Sequence, residues 1–489
     1  MEGNNASALQ KGIFRKKPIN PEDFKSSGGL ARVLSLRSLI FFGVGGIVGT
    51  GLFAITGVAA SVNAGPSVTL AYLISAIACA FVGLCYGELS SIVPAAGSSY
   101  TYTYVTLGEF IAWIVGWNLV LEYSVGAATV AVSWSGYVAS LLHDLGLSFP
   151  PRLMASPFET LTLADGSKVS GIVNLPAAFI IIVISLFLMR GVKESLKVND
   201  VVVFVKLSVI ITVITVSIPY IKWENYTPFI PPNTGTFGHF GWSGVMQAAG
   251  TIFFAYIGFD AVSATAQEAK KPSRDIPLSI LIILAICAVI YIAFSFVLVG
   301  VVNFHDLLND SAPVATAIDK TAFPWLKIVV KFSIIFGYVS VLFLLLIGQT
   351  RIFFAMSRDG LLPPFFSKVH PTYHTPWPSH IFFMFAIAIL CAFLPIAQLA
   401  HMCSIGTLLA FILVCIEVMI LRKTHPNEPR KFRIPGGNLV PILGTITCIA
   451  IMYSLDSLTW FSMFTWMLIG LVFYFSYSRK HSHLHKKHF

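Results

Sequence analysis

Three ionisable side chains stand inside long apolar stretches, where a charge must do something to persist. Lys206 lies in Val203-Phe204-Val205-Lys206-Leu207-Ser208-Val209, Glu122 in Leu121-Glu122-Tyr123-Ser124-Val125-Gly126-Ala127, and Asp260 closes Gly250-Thr251-Ile252-Phe253-Phe254-Ala255-Tyr256-Ile257-Gly258-Phe259-Asp260. A cation at the centre of a bilayer costs about 2.5–3.5 kcal/mol on insertion scales, so such residues pair, snorkel or carry function. Lys206 has two readings: it snorkels to an interface near Asn199, or its ammonium is held inside, where loss of its proton would remove the charge. Glu122 is a packing partner of Lys206, part of a side-chain subsite, or half of a structural ion pair. Asp260 caps a broken helix or lines a pathway, and the structural role is favoured. Glu88 and Glu268, near span ends, read as interfacial or gating groups.

The second chemical feature is backbone. Gly43, Gly45, Gly46, Gly49, Gly51 and Gly57 crowd one stretch. Glycine permits close helix packing in membranes, but Gly43 to Gly51 is denser than a four-residue seam requires. A helix can unwind there if the freed backbone faces a cavity. The half-helix starting near Thr50 would then offer N–H groups and a positive dipole end to an anion. The stretch Gly250–Asp260 is the second candidate break. Paired interruptions in corresponding positions point to a transporter site. The chemistry suits a zwitterion, with N–H groups for a carboxylate and free carbonyls for an ammonium.

The elements that must position these groups are membrane spans. Of 489 residues, 56% are hydrophobic and 11% charged, against roughly 25% charged in soluble domains. Apolar blocks of about 20 residues suffice to cross the hydrocarbon. The predicted spans are 39–64, 67–93, 109–141, 172–190, 199–221, 242–267, 276–302, 323–357, 377–397, 401–421, 438–455 and 459–478. The third and eighth are overlong and should tilt or project into water. With twelve spans, 25 of the 32 Lys and Arg fall on one face, so both termini are expected in the cytoplasm. The net charge of +10 therefore follows span flanks and does not indicate nucleic acid. No cleavable signal peptide is expected. All seven cysteines lie in apolar segments and read as small hydrophobes. The terminal run with His481, His483, His485 and His488 reads as a solvated basic tail rather than a metal site. No cofactor or metal is expected.

Several motifs together resemble one family. They are the glycine run, Tyr86-Gly87-Glu88-Leu89 followed by Pro94, Gly97, Ser98 and Tyr100, the Leu121–Ala127 and Phe254–Asp260 stretches, the loop Glu268 to Pro277, and Gly348-Gln349-Thr350-Arg351 through Pro363. Over about residues 30–480 the chain resembles the amino acid–polyamine–organocation superfamily, in the bacterial, twelve-span form of its cationic amino acid transporters. That resemblance implies an all-α integral membrane protein with a five-plus-five inverted-repeat core. The expected organisation is a cytoplasmic segment 1–38, a ten-helix core 39–421, two peripheral helices in 422–478, and a basic tail 479–489. The resemblance implies that the substrate carboxylate meets Thr50 and the Gly51 N–H. The α-ammonium would meet carbonyls of Ile47, Phe254, Ala255 and Ile257. Lys206 would stand where sodium-driven relatives bind Na⁺, making it the proton-coupling residue. A side-chain subsite is expected near 341–345, with Leu344 in it, and Glu122 and Asp260 as pathway or subsite residues.

The functional expectation is import of amino acids across the cell (inner) membrane, coupled to protons, with a lipid bilayer as surroundings. The alternative is an amino acid exchanger without net proton flow. A membrane sensor would call for a large signalling domain at one end. An enzyme is disfavoured, because no Gly-x-Ser-x-Gly, His-Glu-x-x-His or Walker glycine loop occurs. The residues do not distinguish cationic from small neutral substrates.

Overall fold

The computed structural model describes residues 15–17, 34–93, 98–147, 149–162, 168–190, 196–264, 269–310, 312–373, 375–428 and 430–486. Glu268 lies outside them, as do most of 1–38 and residues 487–489. Among the described residues the main helices are as follows. α1 runs Leu36–Ile47 and, after a break, continues through Gly51–Ile55, Thr56–Val58 and Ala59–Ala64. Then come α2 (Val68–Ile92), α3 (Glu109–Asp144), α4 (Leu175–Met189) and α5 (Leu196–Ser217). α6 is Gly241–Ile252, a 3₁₀ turn Phe253–Tyr256, and Phe259–Ala264. α7 (Pro272–Val301), α8 (Leu326–Arg358), α9 (Trp377–Phe393), α10 (Ile396–Thr424), α11 (Leu439–Tyr453) and α12 (Ser457–Phe473) complete the set. One small hairpin, β1 (Thr160–Thr162) paired antiparallel with β2 (Lys168–Ser170), decorates the α3–α4 connection.

By length and composition, eight of the described helical stretches can cross a membrane, and four shorter apolar helices accompany them. α1 and α2 share one of those stretches, Gly51–Ile92, bent at Gly65 where φ is +59°. α3 has 36 residues and α8 has 33, so both are as overlong as their hydropathy predicts.

The helices sort into two packed groups. α1, α2, α6 and α7 form one, with α2 along α7 as its most extensive contact. α3, α4, α8 and α9 form the other. α5 bridges α1 and α8, while α10 touches α2, α3, α6, α11 and α12. Large apolar side chains on the outside, such as Phe204, Ile211, Phe385, Phe461 and Leu468, are exposed. Hydrocarbon solvates such surfaces, whereas water-soluble monomers rarely expose large contiguous apolar patches.

Candidate substrate and coupling site

The two expected breaks exist and face each other. α1 ends at Ile47, and Val48 turns extended at φ −72°, ψ 103°. Leu52 and Phe53 donate back to the Gly49 carbonyl at 3.0 and 3.1 Å. The Thr50 and Gly51 N–H groups therefore open the next turn, where a helix leaves its donors without internal acceptors. In α6 the backbone becomes extended at Ile257 and left-handed at Gly258, where φ is +112°. Only glycine takes that conformation without strain. A Cβ on Gly51 would fall 2.3 Å from Ala255 Cα, so the breaks lie in direct backbone contact. Gly51 is thus needed for the approach of α6, in addition to any approach by a ligand. Gly250, by contrast, stays inside the first half of α6.

Lys206 is buried, 2% exposed, and reaches out of α5 into the α1 break. Its Nζ donates to the Gly45 carbonyl at 2.9 Å and the Val48 carbonyl at 2.8 Å. Those are acceptors that helix unwinding releases. Gly337 of α8 lets the lysine stem pass, since a Cβ there would meet Lys206 Cε at 2.8 Å. One ammonium therefore ties together α5, the α1 break and the α8 wall. The snorkelling alternative does not describe this side chain.

Three tyrosines that sequence reasoning left without a role clasp the same region. The Tyr72 hydroxyl donates to the Gly51 carbonyl at 2.7 Å and meets Thr56 Oγ1 at 2.6 Å. The Tyr291 hydroxyl lies 3.2 Å from the Ile47 carbonyl and 2.9 Å from that of Ala255, one on each break. The Tyr256 hydroxyl donates to the Tyr72 carbonyl at 3.1 Å. The signal was present: a tyrosine deep in an apolar span needs a partner for its hydroxyl. Of the expected ammonium acceptors, Ile47 and Ala255 thus already face Tyr291, and Phe254 accepts from the Ile257 N–H at 3.2 Å. A carbonyl has two lone pairs, so each retains capacity for a second donor.

Around the breaks the walls are apolar. A Cβ on Gly126 would meet Cys403, Leu345 and Phe254 at 3.4, 3.7 and 3.8 Å, which places those four together. Val341 faces Gly49, and Leu344 fills the space beside Gly46. Thr50 is buried, and its Oγ1 lacks a well-aligned hydrogen bond. On the opposite side of the break Tyr137 donates to the Phe53 carbonyl at 2.7 Å, and Ser133 to the Tyr338 hydroxyl at 2.8 Å.

Glu122 and Asp260 stand next to each other toward the start of α3, both fully buried. Tyr123 donates to Asp260 Oδ2 at 3.2 Å, and Cys403 Sγ donates to the Glu122 carbonyl at 3.2 Å. Glu122 therefore keeps company with Asp260 and Thr407, whereas the lysine reaches the α1 carbonyls. Glu88 is a clamp: Arg422 grips it through Nε at 2.8 Å and Nη2 at 2.5 Å, and the Ile434 N–H adds 2.9 Å. The basic tail is docked. Ser482 donates to Glu109 at 2.5 Å and the His483 N–H to the Asp359 carbonyl at 3.1 Å. Among the described residues no group of three or more His, Cys, Asp or Glu is placed to hold a metal.

Two discontinuous helices back to back, with a lysine in one gap, define a multi-pass membrane transporter. The chain belongs to the amino acid permease family, whose profile matches residues 34–478. It is 42% identical over 475 residues to a methylthioribose transporter of Bacillus subtilis (strain 168), covering 97% of this chain and 99% of that one. It is 40% identical over 483 residues to a branched-chain amino acid permease of the same strain, covering 98% and 100%. Human cationic amino acid transporter 4 is 36% identical over 420 residues, 85% of this chain and 64% of that one. These relatives are permeases and transporters, not enzymes.

Proposed function

We propose that this protein imports neutral, apolar amino acids by proton-coupled symport across the cell membrane, with twelve spans and both termini in the cytoplasm. The observation that carries the reading is the apposed pair of breaks, with Lys206 bonded to Gly45 and Val48. The substrate carboxylate sits at Thr50 and the Gly51 N–H. The ammonium reaches the carbonyls of Ile47, Phe254, Ala255 and Ile257. The side chain enters the space between Gly126, Phe254, Leu345 and Cys403, with Leu344 bordering it. The 40% identity to a branched-chain amino acid permease favours the same occupant.

A five-plus-five repeat is supported by the packing. Adding or subtracting five from each helix number exchanges α1–α7 with α6–α2, and α3–α9 with α8–α4, and all four contacts exist. The two groups would rock against each other about the breaks. Proton loss from Lys206 would leave a neutral amine that still donates to Gly45 and Val48 but without charge assistance, weakening the tie of α1 to α5 and α8 and biasing that motion. Glu122 and Asp260 would line the inner pathway.

A second reading has its own support in the 42% identity to a methylthioribose transporter. That substrate has neither carboxylate nor ammonium, so it would not use both ends of the breaks. Uptake of radiolabelled leucine, alanine, arginine and methylthioribose into liposomes separates the two. Leucine uptake competed by other neutral amino acids supports the first. Methylthioribose uptake insensitive to amino acids supports the second. Counterflow that proceeds without a pH gradient and cannot concentrate substrate would instead make the protein an exchanger.

A further inference from the structure

α10 carries a histidine held at both ring nitrogens. His401 Nε2 lies 2.8 Å from Thr251 Oγ1, and Nδ1 lies 3.0 Å from Asp456 Oδ1. Asp456 caps α12 and also accepts from the Thr459 N–H at 3.3 Å and from the Thr459 hydroxyl. Thr251 is fully buried and donates to the Gln247 carbonyl at 3.0 Å. Both belong to the last turns of α6 before its break at 253–258. The same α11–α12 connection grips α6 twice more. Ser454 donates to the Met246 carbonyl at 2.8 Å, and a Cβ on Gly250 would fall 2.7 Å from Leu455 Cδ2. The histidine side chain is 14% exposed and that of Asp456 is 35% exposed, so the pair is not sealed inside the core.

The proton count makes this arrangement two-state. Burial pushes the Asp456 carboxyl up, but hydrogen bonds from His401 and Thr459 outweigh it and hold the group at about 2. An ionised carboxylate only accepts, so Nδ1 carries a proton. Thr251 has a single hydroxyl proton. Directed at Gln247, it leaves its oxygen to accept from Nε2–H, which requires the imidazolium. In the neutral ring Nε2 is an acceptor, and Thr251 can satisfy either it or Gln247, not both. Imidazole is the side chain whose charge changes near neutral pH. Asp456 is the charged group against the ring. The first half of α6 brings no ionisable residue, and α11 brings Cys448 and Tyr453. α3 brings Glu122 behind Cys403, and α2 carries Tyr72, Cys79, Cys85, Tyr86 and Glu88 along its length.

We propose that His401 is a proton-responsive latch that fastens the last turn of the first half of α6 to the start of α12, and so positions the α6 break. With the imidazolium the His401–Thr251 and Thr251–Gln247 bonds hold together; with the neutral ring they compete for one hydroxyl proton, and the latch is weakened. Its influence on transport rests on the carrier reading above, whereas the hydrogen-bond switch does not.

The test is hydrogen–deuterium exchange of the full chain in lipid nanodiscs, followed at amides 247–254 and corrected for intrinsic exchange. Losing one charge-assisted bond should lower wild-type protection by roughly tenfold from acid to alkaline buffer. His401→Gln keeps a donor that does not titrate, and Thr251→Val removes the acceptor. Each should abolish the pH dependence, so a failure of one variant to fold leaves the other decisive. An unchanged pH dependence in either folded variant overturns the latch. Liposome uptake against external pH is the second arm: the KM of His401→Gln should rise less steeply with pH than that of wild type, because only the Lys206 coupling proton still acts. A wild-type protein that moves no amino acid but shows the exchange signature would fault the carrier reading and leave the latch standing.

Discussion

Single residues decide how close the two breaks come. Gly51 faces Ala255 so tightly that a Cβ would fall 2.3 Å from its Cα. Overpacking a close contact costs about 1–3 kcal/mol, and here it also displaces the donors at Thr50 and Gly51. Gly51→Val should abolish transport and lower the thermal midpoint while the protein still inserts. Substrate affinity at the wild-type level, by scintillation proximity, would contradict the site. Leu344 and Leu345 are neighbours with different surroundings: the first packs beside Gly46, the second faces Gly126. Leu345→Ala should widen the range toward bulkier neutral side chains. Leu344→Ser should chiefly loosen α1 against α8 and slow turnover. Competition assays across a panel of amino acids separate the two, and identical panels for both variants would move the subsite elsewhere. The glycine run was legible because its density exceeded what packing needs. That Tyr72, Tyr256 and Tyr291 need partners was legible too, but which partners was not, because the acceptors are backbone carbonyls on other helices.

At the scale of elements, clamps outside the site hold helix ends. Glu88 on α2 is fully buried and answered by Arg422 on α10. Arg430 Nε lies 3.6 Å from the same carboxylate, so loss of Arg422 should cost part of the about 3–5 kcal/mol expected when a buried charge keeps no partner. Arg422→Ala should lower the thermal midpoint sharply, and Glu88→Gln/Arg422→Met should recover part of the loss. A single mutant as stable as wild type would make the pair incidental. Asp456 gives a pH prediction of definite sign. Its carboxyl is held at about 2, below the ordinary value near 3.8, by His401 and Thr459. The stabilisation is therefore fully present above about pH 4 and fades as pH falls toward 2. Thermal melts of wild type and Asp456→Asn should diverge above about pH 4 and converge in acid. A gap that widens in acid would contradict it. Apolar block length located these helices, because spanning lengths repeat along the chain. The docking of the tail onto Glu109 and Asp359 was hidden, because a His- and Lys-rich run looks like a solvated one from composition alone.

For the whole molecule, the charge asymmetry makes a testable statement about topology. With twelve spans, reporter fusions after Ser478 and within 150–162 should lie on opposite sides of the membrane, and the same side for both would overturn that topology. The presence of long apolar helices and the position of the breaks were legible because hydropathy and glycine density are local signals. The packing of α2 along α7 and of α3 along α8 was not, because tertiary pairing leaves no periodic mark.

The central claim is that Lys206 couples proton movement to amino acid import through its bonds to Gly45 and Val48. The direct measurement is radiolabelled leucine uptake into liposomes under an imposed pH gradient, with and without Na⁺, for wild type and Lys206→Ala. The account predicts acid-driven accumulation by wild type that needs no Na⁺. Lys206→Ala should still bind leucine, because the site is mostly backbone, yet fail to concentrate it. Accumulation that requires Na⁺, or acid-driven accumulation undiminished in Lys206→Ala, would contradict it.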